Sequence, residues 1–282
     1  MKGCLYIVST PIGNLEDITL RALRILKEAD FIAVEDTRHS VKLLNYYEIA
    51  RPMISYWREK EKVKSKVIID KLNAGYTVAL ITDAGTPGIS DPGEVLIRDA
   101  IDEGIEIFPI PGPTSSIAAL SVSGLSTRRF TFIGFLSPKT LQRKKDLQLL
   151  RVERHTLVFY ESPHRILNFL DDLLEVFGDR KIALCHELTK LHEDTKRGTV
   201  SDVIDQLQNS KIAGEYVVIV EGFKETGLSI EDALSEIGQL IEGGMRRKEA
   251  VEQIASATGI SKKILYKESI EGQDISKGGA ND

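Results

Sequence analysis

Short apolar runs alternate with segments of helical periodicity up to residue 220, and this alternation is the feature that most constrains the fold. Several runs are apolar at almost every position, which is typical of strands that helices cover on both faces of a largely parallel sheet. The chain is therefore predicted to be an α/β protein. The predicted strands span residues 5–9, 31–34, 53–56, 78–82, 105–110, 130–135, 156–160, 182–185 and 216–220.

The chain is long enough for two lobes and a small appendage, because its 282 residues exceed one typical domain. Small and polar residues at 121–129 separate the first five predicted strands from the later ones. We therefore assign residues 1–121 to an N-terminal lobe and 122–226 to a second lobe. Residues 227–272 have only helical patterns and predict a small helical module, and residues 273–282 are predicted to be a disordered tail.

Charge and cysteine usage exclude several classes of protein. The net charge of −5 argues against a protein that coats nucleic acid without specificity, because such binding depends on many Lys and Arg contacts to phosphate. The only cysteines, Cys4 and Cys185, lie in or beside apolar strands, so no disulfide framework is expected. No apolar run reaches about 18 residues, the length that predicts a membrane span. We expect a soluble, cytoplasmic protein.

The segment TDAGTPGISDPG, residues 82–93, follows an apolar strand and precedes a predicted helix. Its glycines allow sharp turns and close approach to a ligand, and the helix offers free N–H groups at its positive end. That helix is predicted to begin with Asp91 as N-cap and Pro92 as first residue. An elaborate strand-to-helix turn is the alternative interpretation. The segment has neither a Walker ending nor a G-x-G-x-x-G pattern, which disfavours a triphosphate or a dinucleotide.

Two further loops follow apolar strands, STPIGN at residues 9–14 and PIPGPTSSIAA at residues 109–119. Each alone is a weak signal, because Ser and Thr after Pro-Gly often only cap a helix. In an open α/β sheet, however, ligands bind at the carboxyl ends of the strands. Three such loops in one lobe therefore predict a shared ligand site.

Six strings occur in the order LYIVSTPIGNLEDITLRAL, AVEDTRHS, LITDAGTPGISDPG, IPGPTS, FYESPHR and HELTK. Together they resemble the tetrapyrrole methylase superfamily and, within it, the cytidine 2′-O-methyltransferases of small-subunit ribosomal RNA. The resemblance runs from about residue 5 to residue 220 and continues into the C-terminal helices. One departure is His186, where that family usually has Arg before ELTK; a neutral imidazole supplies less positive charge for RNA.

The resemblance implies a two-lobed fold with a mostly parallel sheet in the N-terminal lobe and a mixed sheet in the second. It also implies a homodimer, with S-adenosylmethionine bound between the lobes. The implied substrate is a cytidine ribose 2′-hydroxyl in the decoding region of the small ribosomal subunit. The residues that match the family's cofactor loops are Pro11, Ile12, Asp83, Gly85, Thr86, Gly88, Ile89, Thr114, Ser115 and Ser116.

Titratable residues at other strand ends are candidates for the chemistry, because a ribose hydroxyl is a poor nucleophile that needs a base or an oxyanion stabiliser. We expect Glu35 or Glu161 to accept the proton and Lys190 to stabilise the oxyanion. Arg38 and Arg165 are expected to contact the RNA backbone. Local ion pairs, such as Arg38 with Asp36 and Lys190 with Glu187, are the alternative. No set of His, Asp and Glu has metal-ligand spacing, so no metal is predicted.

Two basic segments are candidates for contact with ribosomal RNA. Residues 128–155 contain eight Lys or Arg residues against two acidic ones, a local formal charge of +6, and include Lys144 and Lys145. Near the C-terminus, EAVEQIASATGISKKILY has the rhythm of a helix–turn–helix with lysines around it. This module is either an accessory RNA-binding element or a packing element.

Two other functions remain open from the sequence. A methyltransferase acting on a tetrapyrrole carbon is disfavoured by the basic segment 128–155 and by the C-terminal module, because a small macrocycle requires neither. A helix–turn–helix regulator whose α/β lobes sense a small molecule is disfavoured by the three loops and the dense titratable motifs.

Overall fold

The first five predicted strands form one sheet with parallel pairing throughout. The computed structural model describes residues 1–208, 212–224 and 229–277. The strand order β3-β2-β4-β1-β5 places the loops after β4, β1 and β5 side by side. The strands are β1 Cys4–Val8, β2 Phe31–Val34, β3 Met53–Ser55, β4 Val78–Ile81 and β5 Glu106–Ile110.

Helices connect these strands because parallel pairing requires a crossover on each return. Apolar side chains fill both faces of the sheet, with Leu72, Leu80 and Leu96 in one layer and Leu26 and Ile81 in the other. The α/β prediction is thus confirmed. The helices are α1 Leu20–Glu28, α2 Thr37–Tyr46, α3 Glu61–Asn73, α4 Glu94–Asp102 and α5 Ser115–Ser123.

The second sheet is mixed, as expected, with strand order β6-β7-β10-β8-β9. Only β6 and β7 pair in parallel, and the other three pairings are antiparallel. The sequence analysis missed β9, because its residues DTKRGT are polar and pair only with β8 at the sheet edge. The strands are β6 Phe130–Phe135, β7 Thr156–Glu161, β8 Lys181–His186, β9 Asp194–Thr199 and β10 Tyr216–Val220.

The two sheets share a core. Helices α6 Thr140–Leu150, α7 Ile166–Phe177 and α8 Val200–Gln208 lie with the second sheet. Leu120 of α5 packs in one cluster with Val158 of β7 and Ile219 of β10. Helix α5 therefore leaves the first sheet and covers part of the second. The predicted boundary between residues 121 and 122 falls inside α5, and the division into lobes at that residue stays a prediction.

Three C-terminal helices, α9 Ile230–Glu242, α10 Arg247–Thr258 and α11 Lys262–Lys277, pack around an apolar cluster of their own. The predicted tail begins at residue 273, but α11 continues to Lys277, because residues 273–277 contain no glycine or proline that would interrupt it. Residues 278–282 and the predicted boundary at 226/227 lie outside the described residues. Within the described part of the chain, no helix is long and apolar enough to cross a membrane.

Candidate active site

A cavity of about 480 Å³ lies between the two sheets, and we call it the methyl cavity. The loops after β1, β4 and β5 line one side of it, and the ends of β7, β8 and β10 line the other. The predicted cofactor residues that line it are Ile12, Asp83, Gly85, Thr86, Ile89, Thr114 and Ser115. Pro11, Gly88 and Ser116 belong to the same loops but are not among the lining residues.

Hydrogen bonds join the three loops directly to one another. The Thr10 N–H donates to the Gly85 carbonyl at 2.8 Å, and the Gly85 N–H donates back to the Thr10 carbonyl at 3.1 Å. The hydroxyls of Ser9 and Thr86 lie 2.8 Å apart, and Thr86 Oγ1 donates to the Pro113 carbonyl at 3.3 Å. The segments near residues 11, 86 and 114 therefore form one wall, as the sequence predicted.

Glycines shape the loop after β4 because it turns sharply twice. Gly85 has φ of +84° and Gly88 has φ of +79°, a region that glycine adopts without strain. A Cβ at Gly93 would lie 2.9 Å from the Gly88 backbone nitrogen, so the two ends of the loop touch. Gly88 therefore allows the turn of this loop but does not line the cavity.

Helix α4 begins later than predicted. Its first residue is Glu94 and Gly93 is the N-cap, so the predicted cap at Asp91 is wrong. The physical reason is the contact between Gly93 and Gly88, which holds residues 91–93 in the loop. The Asp91 side chain lines the methyl cavity instead. Burial raises the pKa of the Asp91 carboxyl.

Three carboxyl groups, those of Glu35, Asp83 and Asp91, lie close enough to affect one another's ionisation. Burial, followed by repulsion from Asp91 and then from Asp83, raises the pKa of Glu35 to about 7. Burial also raises the pKa of Asp83. Glu35 is therefore a carboxylate that exchanges a proton near neutral pH, which is the property expected of a general base.

Glu161 is the most enclosed of the predicted catalytic residues, with 1% of its surface exposed. Its Oε1 accepts a hydrogen bond from the Ser162 N–H at 2.7 Å and forms an ion pair with Arg165, whose Nη2 lies 2.6 Å away. Its Oε2 is buried and has no hydrogen-bond partner among the residues that the structure describes. This ion pair holds the Arg165 guanidinium against a residue of the cavity wall, and the contact of Arg165 with the RNA backbone stays a prediction.

Lys190 lines the methyl cavity and forms an ion pair with Glu187, with Nζ and Oε1 2.8 Å apart. This ion pair lowers the pKa of Glu187. The loop after β8 contacts the loop after β1, because Thr189 Oγ1 accepts from the Asn14 N–H at 3.0 Å. Lys190 therefore lies at the cavity and also forms the local ion pair, and its role in stabilising the oxyanion stays a prediction.

Ser115 connects the two sides of the cavity, since its hydroxyl donates to the Tyr160 hydroxyl at 2.8 Å. Ser115 is the first residue of α5, and the Thr114 side chain at the N-cap accepts no hydrogen bond from a backbone N–H of the first turn. Thr114 Oγ1 instead lies 3.2 Å from Ser116 Oγ. The positive end of α5 therefore faces the cavity without a side-chain cap, which favours an anionic group of a ligand.

A second cavity of about 490 Å³ adjoins the first, and we call it the Trp57 cavity. Glu35 and Asp83 line both cavities. Arg38, predicted to contact RNA, lies at this second cavity with 89% of its side chain exposed and is held by Asp36 through two hydrogen bonds. The lining residues are Glu35, Asp36, Thr37, Arg38, Ser55, Trp57, Glu59 and Asp83.

The other predicted RNA contacts do not line either cavity. His186 hydrogen-bonds through Nε2 to the Ala213 carbonyl and stacks on Tyr216. Lys144 pairs with Glu175 and with Asp172, whereas Lys145 is exposed. The roles of His186, Lys144 and Lys145 in binding RNA stay predictions.

Several lining residues were missed by the sequence analysis, among them Glu215, Tyr216 and Val217. Strand β10 runs antiparallel to β7, with Tyr216 opposite Glu161, so its amino end lies at the cavity. The rule that ligands bind at carboxyl ends of strands therefore does not find it. Among the described residues, no three His, Cys, Asp or Glu side chains are grouped to hold a metal ion.

The family model for Tetrapyrrole (Corrin/Porphyrin) Methylases matches residues 4–204. The fold is also that of uroporphyrin-III C-methyltransferase from Thermus thermophilus, solved in complex with S-adenosylhomocysteine. That structure superposes with a TM-score of 0.56 at 21% identity, over 78% of this chain and 97% of the other. The fold is therefore that of the tetrapyrrole methylases.

Several relatives carry the name ribosomal RNA small subunit methyltransferase I. The protein from Halalkalibacterium halodurans is 46% identical over 271 residues, covering 94% of each chain. The protein from Thermotoga maritima is 45% identical over 220 residues, covering 78% of this chain and 99% of that relative. The chain belongs to the tetrapyrrole methylase family and, within it, to the ribosomal RNA small subunit methyltransferase I family.

Proposed function

We propose that this chain is a cytoplasmic, S-adenosylmethionine-dependent methyltransferase that modifies a cytidine 2′-hydroxyl in the decoding region of small-subunit ribosomal RNA. Three loops joined by hydrogen bonds around one cavity, beside a carboxyl group with a pKa of about 7, are the observation that carries this proposal. Family membership supports the substrate class, because relatives that are 40–46% identical share the ribosomal RNA name.

The methyl cavity fits a cationic cofactor that also carries a carboxylate. Its volume of about 480 Å³ lies in the range of small-molecule sites. Acidic side chains outnumber basic ones in its lining, which favours a sulfonium and an ammonium group. The uncapped end of α5 favours the carboxylate. The charged lining residues are Glu35, Asp83, Asp91, Glu161, Glu187, Lys190 and Glu215.

For this reaction the chain must align the ribose oxygen with the methyl carbon and accept one proton. The bound cofactor supplies a methyl group that its sulfonium already activates. Alignment of the ribose oxygen with that carbon contributes on the order of 7–11 kcal/mol. With cofactor and substrate bound, the Glu35 carboxylate would accept the proton of the ribose hydroxyl as its oxygen takes up the methyl group. Lys190 stabilises the negative charge that develops on oxygen.

Glu161 takes a positioning role in this scheme, because Arg165 already occupies its Oε1. Its buried Oε2 is left to accept a hydrogen bond from a bound ligand. Arg165 and the exposed Arg38 then neutralise RNA phosphates near the cavities. Glu35 is preferred over Glu161 as the proton acceptor because its raised pKa matches neutral pH.

A homodimer that binds an assembled or partly assembled small subunit belongs to the same proposal. Exposed apolar side chains on edge strand β5 and on α5, such as Phe108 and Ile117, support a surface that a second copy covers. The C-terminal module is proposed to be an accessory RNA-binding element.

The function is tested by incubating the protein with methyl-labelled cofactor and small ribosomal subunits that lack the modification. We expect label in ribosomal RNA, as 2′-O-methylcytidine after digestion. Label that enters only a porphyrinogen supplied in parallel would favour the tetrapyrrole alternative. Specific binding of duplex DNA without any methyl transfer would favour the regulator.

Replacing Lys190 by alanine is expected to lower kcat by about 10²-fold, the effect of removing one group that stabilises an oxyanion. Cofactor affinity, measured by calorimetry, is expected to change much less. Lys190→Arg keeps the positive charge and should recover part of the rate. An unchanged kcat in Lys190→Ala would remove this residue from the mechanism.

Charge reversal tests the predicted RNA contact at α6. Lys145→Glu is the cleaner variant, because Lys144→Glu would place a third acid beside Glu175 and Asp172. Its affinity for small subunits is expected to fall, and the slope of log affinity against log salt to decrease by about 1. Lys27→Glu, at an exposed end of α1, is the matched control. Equal salt slopes for the two variants would show that Lys145 does not contact RNA.

A further inference from the structure

The Trp57 cavity contains an aromatic ring and carboxylates, and the methyl-transfer scheme leaves the ring unused. Trp57 is partly buried between β3 and the turn before α3, and Lys60 Nζ lies 5.3 Å from the ring centroid on one face. Asp36 and Glu59 line the same cavity. A flat aromatic surface beside hydrogen-bond acceptors is the combination that proteins use to hold an unstacked nucleobase.

Glu35 fixes where a nucleotide in this cavity would place its ribose, because Glu35 lines both cavities. The 2′-hydroxyl is attached to the carbon next to the one that bears the base. A base in the Trp57 cavity therefore leaves its own 2′-hydroxyl near Glu35, at the boundary with the methyl cavity. The two cavities as they stand can therefore hold the base in one and the methyl group in the other, with the hydroxyl between them.

The acceptors of the cavity distinguish the pyrimidines. Asp36 is ionised at neutral pH, since its hydrogen bonds with Arg38 lower its pKa to about 2. Oδ2 of Asp36 accepts one hydrogen bond from Arg38, and a carboxylate oxygen can accept a second one. A carboxylate accepts from the exocyclic amino group of cytosine, whereas the corresponding oxygen of uracil would face it with like charge.

We propose that the Trp57 cavity is the target-base pocket, in which the base stacks on Trp57 and its exocyclic amino group donates to the carboxylates of Asp36 and Glu59. The inference rests on the proposed ribose methylation and adds the residues that select cytidine over uridine. Because every base has a flat face, Trp57 supplies affinity and the carboxylates supply the choice of base.

The test measures methylation of two substrates, small subunits that lack the modification and the same subunits with the methylated cytidine replaced by uridine. For Trp57→Ala, KM for the cytidine substrate is expected to rise about 5- to 100-fold, with Trp57→Phe recovering most of it. Cofactor affinity by calorimetry should be unchanged, because Trp57 does not line the methyl cavity. Tyr46→Ala removes an exposed aromatic of α2 outside both cavities and serves as control.

Glu59→Gln tests the selection of base without removing the stacking surface. The ratio of kcat/KM for cytidine over uridine is expected to fall about tenfold or more, because an amide can donate to the oxygen of uracil. Unchanged KM in Trp57→Ala together with an unchanged ratio in Glu59→Gln would overturn the inference. If the wild-type protein methylates neither substrate, the proposed function fails instead, so the two failures are distinct.

Discussion

Replacing Glu35 by glutamine is expected to lower kcat for methyl transfer by about 10²–10⁴-fold, the range for loss of a general base. Glutamine keeps the size and hydrogen-bonding capacity of the side chain but cannot accept a proton. Cofactor affinity should fall far less than kcat. A variant with kcat within threefold of the wild type would exclude Glu35 as the proton acceptor and direct attention to Glu161.

The pH dependence of kcat provides an independent reading of the same group. Glu35 has a pKa of about 7, so it is protonated and inactive as a base below that pH and ionised above it. The rate of the wild-type enzyme should therefore rise with pH, reach half its maximum at pH of about 7 and level off at higher pH. Asp91→Asn removes one repelling charge, which lowers the Glu35 pKa and should move the rise to lower pH. A rise at the same pH in Asp91→Asn would contradict this assignment.

Gly85→Val is expected to abolish cofactor binding and therefore methyl transfer. Valine at φ of +84° is strained, and its Cβ would lie 3.6 Å from Ile12 Cγ2 in the cavity wall. The branched side chain would also displace the loop that pairs with Thr10. Calorimetry with S-adenosylmethionine should show no measurable heat, and thermal unfolding should show that the fold is retained.

The control for Gly85→Val is Gly104→Val. Gly104 has φ of +63° at the end of α4, and an added Cβ would meet no atom within 4 Å. This variant carries similar backbone strain away from the cavity, so it should bind the cofactor like the wild type. Thr86→Arg fills the cavity from a residue without positive φ and should lose binding as well. Wild-type affinity in Gly85→Val and Thr86→Arg would contradict the assignment of this loop.

The parallel sheet and the three loops could be predicted because local chemistry and topology agree there. Apolar strands define the sheet, and glycine, proline and hydroxyl residues mark the loop after each strand. The positions of Glu35, Glu161 and Lys190 in the cavity wall could be predicted for the same reason, since each lies at or just beyond the carboxyl end of a strand. The missed residues Glu215 and Tyr216 lie at the amino end of an antiparallel strand, which has no such marker.

The charge pattern at residues 128–155 predicted a basic surface for RNA, but the fold buries or neutralises part of this charge. Arg143 is 1% exposed and forms an ion pair with Asp172 of α7, and Lys144 shares that carboxylate. The partners come from a helix about 30 residues later, and sequence spacing alone does not reveal them. The prediction that Asp91 caps α4 was wrong for a similar reason, because the contact of Gly93 with Gly88 determines where α4 begins. Contacts made in the folded chain, and not local propensity, therefore determine both the charge of this surface and the first residue of α4.

The most direct test is mass-spectrometric mapping of ribose methylation in small-subunit ribosomal RNA from cells without this protein. Cells that regain the wild-type chain are expected to show one additional 2′-O-methylcytidine in the decoding region. Cells that receive Glu35→Gln or Gly85→Val at the same level should lack it. An identical methylation pattern with and without the wild-type chain would contradict the account.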